Sequence, residues 1–424
     1  MKIVSTFIGK SVFRVLRMTG RTGSALPGLI VEKTDKRFLK SMLAQLPKGV
    51  VIVSGTNGKT TTTKLIVRLL ESQGLRVLTN PTGSNFVRGT ISAVVDGATW
   101  RGGLPYDIAV FEQDEAHAVH FARLVPPRGL LVLNIMRDQM DRFGEIDTTR
   151  KLLQKVADAT TDFVVLNAND ERVSTIMPSD TARTVWYGHT AELQPEFLTD
   201  DQLYHAESTA YTRAGEPAVE LVGYDEDAVS FKISETPHRY QFHLTGGHNA
   251  LNLAAALAVT LQISPEADSA ELAKAILTVE PAFGRGEVIP LPGGGNLTLQ
   301  LVKNPGGFTQ ALRMLELKDY DTVGIAINDD YPDGRDVSWL WDVPFSGIKR
   351  PVLCGGTRAT DMANRLKYDE VTTESVEPDL ERYIEGFNNT ASSASQEAIL
   401  FCTYTAMLKI RSIYLGAHSG LDDA

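Results

Sequence analysis

Residues 50–61, Val-Val-Ile-Val-Ser-Gly-Thr-Asn-Gly-Lys-Thr-Thr, constrain this chain more than any other stretch. An apolar run of strand character empties into a glycine-rich turn, then Lys-Thr, then an amphipathic segment that ends near Gly74. This is the layout of a phosphate-binding loop. Glycines let the backbone approach, successive N–H groups point at phosphate oxygens, and the following helix offers its positive end. Gly55, Thr56, Asn57, Gly58, Lys59, Thr60 and Thr61 are therefore the expected contacts for ATP. Lys59 is placed to neutralise β/γ-phosphate charge and the Thr60 hydroxyl to ligate Mg²⁺. Only Thr56 and Asn57 separate Gly55 from Gly58, two residues fewer than in the usual pattern.

The net charge of −10 over 424 residues argues against nucleic acid as a partner, since there is no basic excess to release counterions. Cys354 and Cys402 each lie in an apolar run and read as buried small hydrophobes in a reducing compartment. Two cysteines cannot build a four-cysteine zinc site. No apolar run approaches the ~20 residues that span a bilayer. Near the N-terminus, Lys2, Lys10, Arg14, Arg17 and Arg21 are interleaved with Ile3, Val4, Phe7, Ile8, Val12, Phe13 and Leu16. A basic amphipathic helix of this kind either covers the domain that follows or rests on an anionic membrane. Charge interrupts the apolar stretch too often for a cleaved signal.

From the loop onward the chain alternates between strands (49–54, 75–79, 107–112, 129–134, 162–167) and helices (59–73, 115–124, 146–159). That pattern implies an α/β fold with a parallel sheet covered on both faces. Residues 1–45 form an N-terminal helical segment, and 46–265 a central ATP-binding domain. Within the latter, 192–244 read as a small β insertion. A second, Rossmann-like α/β pattern occupies 278–424, with a boundary expected between Leu261 and Phe283, around Ser264-Pro265.

Several further positions carry chemistry. Glu112 follows a strand end, where it either holds Mg²⁺ or opens a solvated helix start. Asp138 and Asp141 follow the next strand with Asn134, as carboxylates near the metal or as an ordinary charged loop. His248 and Asn249 open a glycine-led helix, and Arg285 sits in what reads as a flexible segment near the boundary. Residues 329–342 hold five aspartates, four of them ahead of Trp339 and Trp341, a loop suited to function or to an interface.

Together the GTNGKT loop, Asn134-x-x-x-Asp138-x-x-Asp141, residues 166–170, Gly247-His248-Asn249-x-x-Asn252 and Gly284-Arg285 resemble the Mur ligase family. The likeness is greatest to its MurT branch. There is no room for an N-terminal UDP-binding domain, and Gln139 stands where peptide-adding ligases carry histidine. Residues 303–308 and 336–342 also resemble that branch's C-terminal domain. The resemblance implies a Mur-ligase-like P-loop ATPase domain followed by a C-terminal α/β domain. It implies that His248, Asn249, Asn252 and Arg285 contribute to the ATP site, and that Lys59 and Glu112 serve catalysis. It further implies activation of the α-carboxylate of D-glutamate in the lipid II stem peptide with ATP. Ammonia would come from a GatD-like glutaminase subunit in a heterodimer acting in the cytoplasm, at the inner face of the plasma membrane. Asp336 would complete that partner's Cys-His pair. A stand-alone amino-acid or folylpolyglutamate-type ligase is the other enzyme reading, and a non-catalytic nucleotide-binding scaffold the third. Residues 192–244 lack the cysteines of the zinc ribbon found in many members, so no zinc is expected. Lys151 and Lys155 lie near the place of the family's carbamylated lysine, without a secure assignment.

Overall fold

The computed structural model describes residues 2–18, 25–80, 86–137, 146–197, 199, 202, 211, 213–225, 227–244, 246–281, 284–391 and 396–416. Helices α1 (Lys2–Met18), α2 (Ala25–Thr34) and α3 (Phe38–Leu43) come first. An alternating run follows: β1 (Val50–Ser54), α4 (Lys59–Ser72), β2 (Val77–Thr79), α5 (Val87–Gly97), β3 (Ile108–Glu112), α6 (Glu115–Leu124), β4 (Gly129–Val132), α7 (Ile146–Asp158), β5 (Phe163–Asn167) and β6 (Arg183–His189). Then come β7 (Pro217–Tyr224), β8 (Ala228–Ile233), β9 (Thr236–Gln241), α8 (Gly247–Ile263) and α9 (Ser269–Leu277).

These strands form one nine-stranded sheet in the order β2-β3-β1-β4-β5-β6-β7-β8-β9. Pairing is parallel through β7 and antiparallel for β8 and β9, so the described part of 192–244 extends the main sheet. Strand side chains alternate between faces, and both faces are covered. Val51 and Val53 point to a core shared with Leu65, Leu69, Leu253 and Leu257 of α4 and α8. Val50 and Ile52 point to a second core with Phe38, Met42, Ile91, Val94 and Phe121. Burial on both sides is why the strands read as continuous apolar runs instead of alternating ones.

A second sheet begins at β10 (Arg285–Pro290) and β11 (Asn296–Leu301). It continues with α10 (Pro305–Leu312), α11 (Met314–Leu317), β12 (Thr322–Ala326), β13 (Val352–Gly355), α12 (Ala359–Tyr368), β14 (Thr373–Glu377), α13 (Leu380–Thr390), β15 (Glu397–Cys402) and α14 (Tyr404–Leu415). Its order is β10-β11-β15-β12-β13-β14, with β10 alone antiparallel to its neighbour. Its two faces carry separate cores around Phe308, Phe345 and Phe401 and around Tyr383, Phe387 and Met407.

Helix α9 buries Leu272 and Ile276 in the first sheet's core, so the chain stays with that sheet through residue 277. One expectation changes. Arg285 opens a paired strand and is not in a flexible segment; its neighbour Gly286 forms a bulge in the β10–β11 ladder.

Candidate functional site

The loop between β1 and α4 lies outside the carboxyl end of β1, where the strand order diverges to β3 on one side and β4 on the other. Ligands gather at such a crevice in open α/β sheets. Gly55 and Gly58 have φ of +125° and +85°. A Cβ on Gly58 would lie 2.5 Å from the Asn252 Oδ1, and one on Gly55 2.9 Å from the Asn134 carbonyl oxygen. Both positions therefore need glycine for conformation and for space.

Neighbouring segments hold the loop in shape. The Thr56 N–H donates to the Asn134 carbonyl (3.0 Å), and the Asn57 N–H to Asn134 Oδ1 (2.8 Å). Asn134 Nδ2 donates back to the Asn57 carbonyl (3.1 Å), and the Met136 N–H donates to Thr56 Oγ1 (3.0 Å). Asn134 thus acts on the loop's own backbone. The buried Lys59 Nζ donates to the Gly55 carbonyl at 2.6 Å and pairs with Asp114 at 3.2 Å and Glu115 at 3.9 Å. Burial works against the Asp114 charge, but Lys59 and Lys303 outweigh it and hold the carboxyl below its ordinary value. Thr60 and Thr61 are buried in the first turn of α4. Glu112, also buried, ends β3, where its backbone is clamped by the Asn80 amide (2.9 and 3.0 Å).

A cavity of about 350 Å³ brings the loop, Glu112 and Asp114 together with His248, Asn249 and Asn252 from the first two turns of α8 and Arg285 from β10. Burial, then the nearby Arg285, push the His248 imidazole down to about 4, so it is neutral near pH 7. Burial likewise lowers Arg285, while the Glu112 carboxylate favours its charge. Asn167, Asn169, Asp170 and His189 form the back wall. Burial raises Asp170 to about 6, against three backbone N–H groups (Ile135, Arg172 and Val173) that it accepts within 3.1 Å.

The opposite wall belongs to the second sheet: Lys303, Gly307, Gln310, Asp333, Tyr404 and Met407. A reciprocal amide pair crosses the cleft. Asn304 Nδ2 donates to Asn57 Oδ1 (2.9 Å), and Asn57 Nδ2 to Asn304 Oδ1 (3.3 Å). The same Asn304 oxygen caps α10 through the Gly307 N–H (2.7 Å). Nearby, Gln310 donates to the Glu196 carbonyl (3.0 Å) and Arg313 to that of Pro195 (2.7 Å).

Asp336 lies outside this cleft. It is exposed and accepts the Ser338 N–H at 2.8 Å; that bonding to Ser338 keeps its carboxyl below the usual range. It borders a shallow cavity with Arg335, Trp341, Arg358 and Asp361. Asp333 instead is buried against Thr405, and Asp329 pairs with Arg358 at 3.1 Å. Asp138 and Asp141 fall outside the described residues. Lys151 and Lys155 are exposed on α7 and do not line the cavity. Sequence reasoning missed Asn80, His189, Gln310 and Tyr404. Of these, Asn80 and Tyr404 follow strand ends, a position that by itself does not separate a site residue from an ordinary loop or helix start.

Residues 53–260 match the family model of the Mur ligase middle domain, and residues 301–407 that of the MurT ligase C-terminal domain. The chain is 31% identical to the MurT subunit of lipid II isoglutaminyl synthase (glutamine-hydrolyzing) from Streptococcus pneumoniae strain R6, over 96% of this chain and 95% of that one. It is 28% identical to the MurT subunit from Staphylococcus aureus strain COL, over 86% and 87%. Among solved structures, the MurF ligase of Thermotoga maritima in complex with ADP superposes with a TM-score of 0.68 at 15% identity, covering 91% of this chain and 83% of that one.

Proposed function

Because this chain belongs to the Mur ligase family, in its MurT branch, we propose that it is the ligase subunit of a lipid II isoglutaminyl synthase in peptidoglycan synthesis. It converts the α-carboxylate of D-glutamate in the lipid II stem peptide to the amide of D-isoglutamine, using ATP and ammonia. Lipid II is held in the membrane, so the enzyme works as a peripheral protein at its inner face.

The observation that carries this reading is the cleft itself, where a two-glycine phosphate loop faces a MurT-type C-terminal unit, joined through Asn57 and Asn304. The loop fits a triphosphate, since Gly55 and Gly58 hold it in a tight turn packed against Asn134 and Asn252 directly ahead of α4, whose N-terminus favours an anion. In this proposal Gly55 to Thr61 bind the phosphates, and Asn249, Asn252, His248 and Arg285 line the nucleotide site. Carboxylate and γ-phosphate are both anions, and Lys59, swinging from Asp114, offsets their repulsion. Thr60 and Glu112 would hold Mg²⁺, which supplies further positive charge at the transferred phosphoryl group. The substrate carboxylate oxygen attacks the γ-phosphorus and ADP leaves. Ammonia then adds to the acyl carbon, phosphate departs, and a proton is lost. The acyl phosphate hydrolyses readily, so closure of the cleft serves to exclude water.

Ammonia comes from a glutaminase subunit, and Asp336 serves that subunit's active site. Its exposure outside the nucleotide cleft supports this role. The ATP-binding and C-terminal domains divide between residues 278 and 284. The test is reconstitution with a candidate glutaminase, glutamine, ATP, Mg²⁺ and lipid II. Lipid-II-dependent ADP release with an amidated stem peptide is expected. ADP release without amidation under saturating ammonia would overturn the reading.

A further inference from the structure

Helix α1 is unusual for a surface helix. Its inward side places Ser5, Thr6 and Gly9 against the body of the protein, with the Ser5 hydroxyl donating to Asp35 at 2.9 Å. The outward side should then be polar. Instead Ile3 is 54% exposed, Val4 61%, Phe7 59% and Val15 59%. Trp100, itself 47% exposed, joins them from the loop after α5, edge-on to Phe7 at 5.7 Å. Lys10 and Arg14 flank the indole at 5.7 and 6.0 Å, and Lys10 is anchored to the Asp96 carbonyl (2.9 Å).

We infer that this face of α1, with Trp100, docks the protein on an anionic lipid surface. Charge selects the occupant. The chain carries a net charge of −10, yet its first 31 residues contain five basic side chains and no Asp or Glu. A second copy packed through the same patch would set these cations against one another, whereas a bilayer with anionic headgroups meets both of its features. Phe7 and Val4 enter the headgroup–acyl boundary, Trp100 takes the interfacial position suited to indoles, and the Lys and Arg side chains reach phosphates. The inference deepens the proposed function, because a lipid-linked acceptor is met in the plane that holds it. It does not depend on that chemistry.

The test is co-sedimentation of the full chain with vesicles of phosphatidylcholine alone or mixed equally with phosphatidylglycerol, both free of lipid II. A negative result would therefore leave the amidation reading standing. Binding to the anionic vesicles, weakened by salt, is expected. Lys10→Gln/Arg14→Gln should weaken it roughly 30-fold, about fivefold per basic residue. Phe7→Ser should weaken it about tenfold at every salt concentration. Absence of binding to anionic vesicles would overturn the inference, as would binding that the variants leave unchanged. A wild-type dimer in light scattering that Phe7→Ser dissolves would assign the face to self-association and overturn it too. Thermal unfolding of each variant at the wild-type midpoint guards against a trivial folding defect.

Discussion

Gly58→Ala isolates what the loop's shape costs and what maintains it. Gly58 sits at φ +85°, so a side chain there meets the left-handed penalty of roughly 1–2 kcal/mol. Its Cβ would also press within 2.5 Å of Asn252 Oδ1 on α8, and relieving that overlap costs about 1–3 kcal/mol more. The sum of about 2–5 kcal/mol corresponds to a midpoint lowered by roughly 5–15 °C for a unit of this size. Asn252→Ala deletes the obstructing amide and leaves the backbone conformation alone. In the double variant the overlap share should return while the conformational share stays, a coupling of about 1–3 kcal/mol between the two sites. Urea and thermal melts of all four proteins without nucleotide measure it, since ligand would add its own stabilisation. Equal destabilisation by Gly58→Ala with and without Asn252 would refute the packing argument.

Lys59→Ala should abolish ATP-dependent turnover and lower the melting midpoint, since it leaves Asp114 and Glu115 without their buried cation; wild-type ADP release at matched Mg²⁺ would defeat the assignment. Asp336→Asn should remove glutamine-dependent amidation by the reconstituted pair but leave ammonia-dependent amidation intact, whereas loss of only ~1 kcal/mol in stability with normal glutamate release would mark it as a cap for Ser338. The His248 pKa is depressed from 6.5 to about 4, so its neutral form contributes stability above about 6.5 that is lost as pH falls toward 4; urea midpoints of His248→Gln should show a flatter acid limb than wild type. Asn57→Ala removes the cross-cleft amide pair and a weak contact to Met136 Sδ (3.5 Å), while Asn304→Ala removes the pair and uncaps α10, so Asn304→Ala should melt lower by about 1 kcal/mol equivalent; equal midpoints would argue against the cap.

The first sheet was legible because its strands are buried on both faces and its helices carry regular apolar stripes, so β1, β3, β5, α4 and α6 lie where the pattern puts them. Elements escaped where local chemistry spoke against them. β14 reads Thr-Glu-Ser-Val-Glu on a sheet edge, where polar residues cost nothing. β10 lies between Pro281 and Pro290 with glycines on either side of Arg285, which resembles a linker until a partner strand is known. α10 starts at Pro305, ahead of two glycines unfavourable to a helix, because Asn304 caps it and proline suits its first position. In the site, the loop residues were visible as a contiguous motif. Gln310 and Tyr404 were not, since only the apposition of the two sheets brings them to the nucleotide loop.

The amide pair between Asn57 and Asn304 has a thermodynamic corollary. One of its members is a phosphate-loop residue and the other caps a helix of the far unit, so loop occupancy and inter-unit docking share a common term in the free energy. Reciprocity then applies: whatever factor docking contributes to nucleotide affinity, nucleotide contributes to docking. A substitution remote from any phosphate, such as one at the Gln310 or Arg313 contacts with the first unit, should therefore shift the nucleotide dissociation constant by the factor by which it alters closure.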